Sequence, residues 1–297
     1  MATRRLAYAL GSGGARGALQ VGAIRALLES GLCPDVMVGT SAGAINATYL
    51  AIRGLNRETL EGLERTWQTV PAARLVPMNR WGLATRMMIQ STGSRDNHRL
   101  RGYFLRQGLG PDLRFRDLMG GIRLIQVAAN LTARRMICYG TDPDQSVLEG
   151  LLASTAIPPW GRPIQAGPGI LADGWAVSSL PVQPALAQGA TAIIALDLNP
   201  PIPDSPVLSS RWRFWAQWLR TVAERQTELE LALAEAHGVP VWRLRLHNDV
   251  RPPVAAWDFK RTDELIAEGY RVAREALAGW PDLLLNFGSQ APGRWLG

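Results

Sequence analysis

Lysine is almost absent from this 297-residue chain: Lys260 is the only one, so the basic side chains behind the net charge of +7 are otherwise arginine. Cysteine is nearly as scarce. Cys33 and Cys138 stand far apart, with no Cys-x-x-Cys or His-x-x-x-His spacing beside them, which argues against a zinc site. A reduced, cytosolic setting is the simpler reading of two such cysteines. There is no run of about 20 apolar residues, so no membrane-spanning helix is expected. Met1–Arg5 leads at once into an apolar strand and a glycine-rich loop that cleavage would destroy, so no secretory leader is expected either. No internal repeat and no recognised nucleic-acid-binding motif appears, and nucleic acid is not an expected partner.

Hydrophobic residues make up 47% of the chain, enough for a substantial core. The first third alternates short apolar strands with helices: strand 6–10, helix 17–29, strand 36–38, helix 43–53 and helix 57–69. That alternation predicts an α/β fold, a mainly parallel sheet covered on both faces. Strands follow at 122–129, 135–140, 191–197 and 240–246, and helices at 145–154, 210–236 and 262–278. Residues 158–184 read as loop. Residues 71–120 have weak periodicity and read as an inserted, lid-like region.

The most informative stretch is Gly39-Thr40-Ser41-Ala42-Gly43. It follows the apolar run Val36–Val38 and opens a helix. Strand, G-x-S-x-G, helix is the context of a nucleophile elbow, in which Ser41 stands proud at a helix N-terminus. The unpaired N–H groups there suit a developing oxyanion. A second glycine-rich stretch, Gly11-Ser12-Gly13-Gly14-Ala15-Arg16-Gly17, follows strand 6–10. Right-handed crossovers bring successive parallel strands together, so both stretches fall on one sheet edge, where ligands of open α/β sheets bind.

With Asp173-Gly174, these two stretches resemble the patatin-like phospholipase family. Segments 153–158, 179–182 and 263–270 resemble it as well, so the resemblance runs from about residue 6 to residue 278 and leaves 279–297 as a tail. It implies a three-layer α/β/α fold and a serine hydrolase of lipid carboxylic esters. Ser41 would be the nucleophile and Asp173 its sole partner, with no cofactor and no metal. Gly13, Gly14 and Ala15 would form the oxyanion hole, helped by Ala42, with Arg16 holding the loop or favouring anionic substrates. Gly11, Gly17, Gly39, Gly43 and Gly174 complete the motifs. Three positions depart from the family pattern: Ser12 replaces a first glycine, Trp175 follows Asp173-Gly174, and Ser178 and Ser179 stand where asparagine is frequent.

The residues also fit two other readings. A conventional triad would draw on Ser41, Asp173 and either His237 or His247, although the elbow comes early for that fold; nothing around His98 resembles a motif. A dinucleotide-binding loop would use Gly11, Gly13 and Gly17 with Asp35, leaving the elbow unexplained.

Two surface features bear on partners. Residues 71–116 hold nine arginines, from Arg74 to Arg116, against Asp96, Asp112 and Asp117 in and beside them. The run 211–220 places Trp212, Trp215 and Leu219 on one helical face, with Trp218 adjacent. Arginine with tryptophan suits peripheral contact with an anionic membrane. The same rings equally suit core packing or a contact between copies of the chain.

Overall fold

The computed structural model describes residues 4–73, 97–118, 121–157, 161–199, 211–246 and 254–280. Five parallel strands form the centre of its sheet. β1 (Leu6–Leu10) pairs with β2 (Val36–Thr40) on one side and with β7 (Ala192–Asp197) on the other. β3 (Arg123–Asn130) continues the parallel pairing beyond β2, and β8 (Val241–Arg245) beyond β7. β4 (Arg135–Tyr139) is antiparallel to β3, and the hairpin of β5 (Ile164–Ala166) and β6 (Gly169–Asp173) closes that end.

Alternation along each strand divides the core between two layers of helix. Leu6, Tyr8 and Leu10 point to one face, and Ala7 and Ala9 to the other. The first face is covered by α1 (Gly17–Glu29), α2 (Ala42–Arg53), α3 (Arg57–Ala73), α4 (His98–Arg106), α5 (Val147–Ser154) and α8 (Thr262–Ala278). The second is covered by α6 (Val182–Ala187) and the C-terminal part of α7 (Arg211–Ala236), through Val182, Ala185, Leu231 and Ala234. This is the expected three-layer α/β/α arrangement. α1 and α8 cross closely because a Cβ on Gly22 or Gly269 would collide with a carbonyl of the other helix.

The register around β3 positions the site. β4 pairs with Gln126–Asn130 along one edge of β3. The other edge is shared: β2 pairs up to Val127, opposite Thr40, and β6 takes over from Ala128, opposite Asp173. β2 runs parallel to β3 and β6 antiparallel, so their C-terminal ends meet head to head. Ser41 and Asp173, 132 positions apart in sequence, leave their strands at that junction.

Two segments differ from the sequence reading. Residues 158–184 carry β5, β6 and α6 where loop is expected. Gly167, at φ +55°, turns the β5–β6 hairpin, so glycine and proline mark a tight turn between strands. The described part of the lid-like insertion is core: Tyr103, Phe104, Leu109 and Phe115 are buried in the main cluster with α1 and α2. The remainder of that insertion, 74–96 and 119–120, lies outside the described residues, as do the side chains of Trp212 and Trp215. Among the described residues no helix is long and apolar enough to cross a membrane.

Candidate active site

The turn between β2 and α2 is too tight for side chains at its ends. A Cβ on Gly39 would collide with the backbone of Ala44, and one on Gly43 with the carbonyl of Leu10. Ser41 between them sits at φ 55°, ψ −117°, outside the ordinary regions for an L-residue. That strain is held from three sides. Thr40 Oγ1 donates to Ser178 O (2.9 Å), Ser41 N–H donates to Ser154 Oγ (3.0 Å), and Ile45 N–H donates to Ser41 O (3.2 Å) to begin α2. The N–H groups of Ala42, Gly43 and Ala44 therefore precede the first helical hydrogen bond and have no partner within α2.

Asp173 ends β6 and caps the short helical turn Gly174–Ala176. Its N–H donates to Ala156 O (3.0 Å), and its Oδ1 accepts from Trp175 N–H (2.8 Å). Its Oδ2 is buried and accepts no hydrogen bond among the described residues. Burial pushes the carboxyl up to about 7, against smaller opposing effects of the Ser41 hydroxyl and the Trp175 N–H. The hydroxyl thus lies near enough to be felt electrostatically while making no hydrogen bond of ordinary geometry to Oδ2. Segment 154–156 touches both residues: Ser154 holds the serine backbone and Ala156 the aspartate backbone.

The glycine loop lies across the same sheet edge. Gly11 N–H donates to Leu196 O (3.1 Å) and Ser12 N–H to Ser179 O (2.9 Å), which ties the loop to β7 and to the chain after Asp173. Ala15 N–H donates to Ala256 O (2.7 Å) and Arg16 N–H to Gly13 O (3.3 Å). Ala15 is therefore not a free donor, contrary to its expected share in the oxyanion hole. The N–H groups of Gly13 and Gly14 donate to nothing among the described residues. Gly14 has φ +58°, and a Cβ there would collide with Ala256 O, so the loop depends on glycine at that position. A buried network fastens the loop's end to the elbow helix: Trp67 Nε1 donates to Asn46 Oδ1 (2.8 Å), and Asn46 Nδ2 to Gly17 O (3.0 Å) and Gln20 Oε1 (3.0 Å). Arg16 turns back on the loop, its Nε donating to Gly13 O (3.4 Å). Burial lowers its guanidinium to about 10; nearby Arg220 acts in the same direction and Asp197 opposes.

The two described histidines, His98 and His237, are elsewhere. His237 is exposed at the end of α7, where the chain turns into β8, and its Nδ1 lies 2.8 Å from Leu233 O. That is the N-terminal edge of the parallel sheet, opposite Ser41. His98 is exposed at the start of α4, and His247 lies outside the described residues. Asp35, the acidic residue of the dinucleotide reading, is on that far edge too, its Oδ2 accepting from Leu6 N–H (2.8 Å). Ser154 and Ala256 were not singled out as site residues from the sequence. Ser154 lies in the segment 153–158 that carries part of the family resemblance; nothing in the sequence marks Ala256.

Residues 8–186 match the model of the patatin-like phospholipase family, and the chain belongs to that family. It is 26% identical over 300 residues to patatin-like phospholipase domain-containing protein 7 of Mus musculus, covering 93% of this chain and 21% of that protein. It is 27% identical over 289 residues to lysophospholipase NTE1 of Mycosarcoma maydis, covering 91% and 14%. The chain thus spans about a fifth or less of the length of these curated relatives. Among solved structures, VipD from Legionella pneumophila shares the fold, with a TM-score of 0.52 at 16% identity over 95% of this chain and 67% of that one.

Proposed function

We propose that the chain is a serine acyl hydrolase that cleaves carboxylic esters of lipids through a Ser41–Asp173 dyad. The observation that carries this reading is the head-to-head meeting of β2 and β6 on β3. It sets a buried Oδ2 with an unused lone pair beside a strained serine at a helix N-terminus. Membership of a family whose relatives include a named lysophospholipase supports the lipid ester as substrate class.

In the first step Ser41 Oγ attacks the ester carbonyl and Asp173 Oδ2 takes its proton. The tetrahedral oxyanion is met by the unspent N–H groups of Gly13 and Gly14, with Ala42 at the start of α2. Collapse expels the alcohol, which takes the proton back from Asp173 and leaves an acyl ester on Ser41. Water repeats the sequence, and the fatty acid is released. An aspartate of ordinary pKa would be a poor base at neutral pH; one raised to about 7 is matched to that task.

A panel of a diacyl phospholipid, a lysophospholipid and a short-chain p-nitrophenyl ester tests the reading. Fatty acid release from at least one at neutral pH is expected, and His98→Ala and His237→Ala should leave kcat within several-fold. Release from none by folded protein would sink the reading. A collapse of kcat in His237→Ala with the fold intact would favour the triad.

Ser154 acts as a positioning residue through the Ser41 backbone. Ser154→Ala is expected to lower kcat about tenfold with KM little changed, because a misplaced nucleophile affects the chemical step more than binding. Ser154→Thr, which keeps the acceptor oxygen, should restore much of the loss. A rise in KM at constant kcat would mean that Ser154 only shapes the pocket.

A further inference from the structure

Helix α7 is longer than the sheet it covers. Its 26 residues extend about 39 Å, whereas the five residues of β8 extend about 17 Å. The C-terminal end of α7 leads into the start of β8, so its N-terminal half overshoots the sheet on the edge where Ser41 lies. Exposure follows this geometry. Ala223, Thr227, Glu230 and Ala234 are buried at helical spacing, while residues 218–222 are all exposed.

Apolar side chains recur along the described part of this half. Phe214, Trp218 and Val222 are 50%, 52% and 41% exposed and recur every four residues along one stripe, with Leu219 at its flank. Residues 211–223 hold Arg211, Arg213 and Arg220 and no carboxylate. We infer that this N-terminal half of α7 is a docking face for an anionic lipid bilayer. Aromatic rings and arginines on one short helical segment satisfy both layers of a membrane interface, apolar below and charged above. A third exposed ring, Trp257, follows Ala256, which holds the glycine loop.

The inference rests on the lipid-ester reading for its choice of partner and adds where that partner sits. α7 is also fastened to the site. Gln226 Nε2 donates to Ala176 O (2.9 Å) in the turn that follows Asp173, and Glu230 Oε2 accepts from Gln183 N–H (2.7 Å). A bilayer resting on Phe214 and Trp218 would thus hold the Asp173 turn at a fixed distance from its surface.

Co-sedimentation with vesicles of phosphatidylcholine alone and of phosphatidylcholine with phosphatidylglycerol tests the docking face. Wild-type protein should bind the anionic vesicles at low salt and be released as salt rises, since exposed charges are screened within about 8 Å at physiological ionic strength. Phe214→Ser with Trp218→Ser should weaken binding about tenfold or more, with unchanged melting temperature and unchanged kcat on the short soluble ester. Arg220→Gln should weaken it less and flatten the salt dependence. No binding by wild type, or undiminished binding by the double variant, would overturn the proposal. So would a wild-type dimer that the double variant converts to monomer without any vesicle binding, because a second copy would then cover the face. Sedimentation counts bound protein without turnover, so Ser41→Ala should bind like wild type. A failed ester assay and a failed docking face are read separately.

Discussion

Ser41→Ala is expected to reduce ester hydrolysis by about four orders of magnitude or more and to abolish labelling by a fluorophosphonate probe. The size of the effect follows from what alanine removes. Without Oγ there is no acyl-enzyme, and the remaining groups can only bind the ester and polarise its carbonyl. The proposed oxyanion donors, the backbone N–H groups of Gly13, Gly14 and Ala42, survive the substitution, so a small residual rate over water is expected. The fold should survive as well. Ser41 is held through its backbone, by Ser154 Oγ and by the first hydrogen bond of α2, and its side chain is used in none of these contacts. Serine and alanine bear the same backbone strain at φ 55°, so stability should change little. Undiminished labelling of the alanine variant would show that the nucleophile lies elsewhere.

The elbow was legible because its determinants are local. A strand, two glycines that close contacts require, and a helix all fall within Val36–Arg53, and apolar periodicity marks both flanking elements. The closing helix 262–278 and the long helix reaching 236 were legible for the same reason. Asp173 was legible only through resemblance, since its place beside Ser41 depends on register: β6 takes over the edge of β3 one residue after β2 leaves it. No periodicity within a five-residue strand, Gly169–Asp173, announces that exchange. α4 was obscured by a composition of arginines and aromatics around a few buried rings, Tyr103 and Phe104 among them. Ser154 and Ala256 act through single long-range hydrogen bonds to Ser41 and Ala15, and such contacts leave no trace in sequence spacing.

Asp173→Asn is expected to lower kcat by roughly 10²–10⁴, the usual contribution of a positioned general base. Asparagine keeps an oxygen to accept the Trp175 N–H but puts a non-basic NH₂ where Oδ2 stood. In wild type, kcat/KM should rise with pH through about 7 as the buried carboxyl ionises, and that limb should vanish in the variant. Stability should move the other way. Burial raises this carboxyl above its ordinary value, so the native state holds the proton more tightly than the unfolded chain does. The stability that this contributes is fully present below about pH 4. It is lost as pH climbs through about 7, where the fold must carry a buried charge. Asparagine never ionises, so the variant should match wild type near pH 4 and exceed it at pH 8, by roughly a few kcal/mol at most. Melting curves at the two pH values measure the difference. A variant less stable than wild type at pH 8, together with a kcat/KM that stays flat between pH 6 and 8, would show that Asp173 is not the titrating base. The combination expected, a dead enzyme that is harder to unfold, is the mark of a carboxylate buried for chemistry at the expense of the fold.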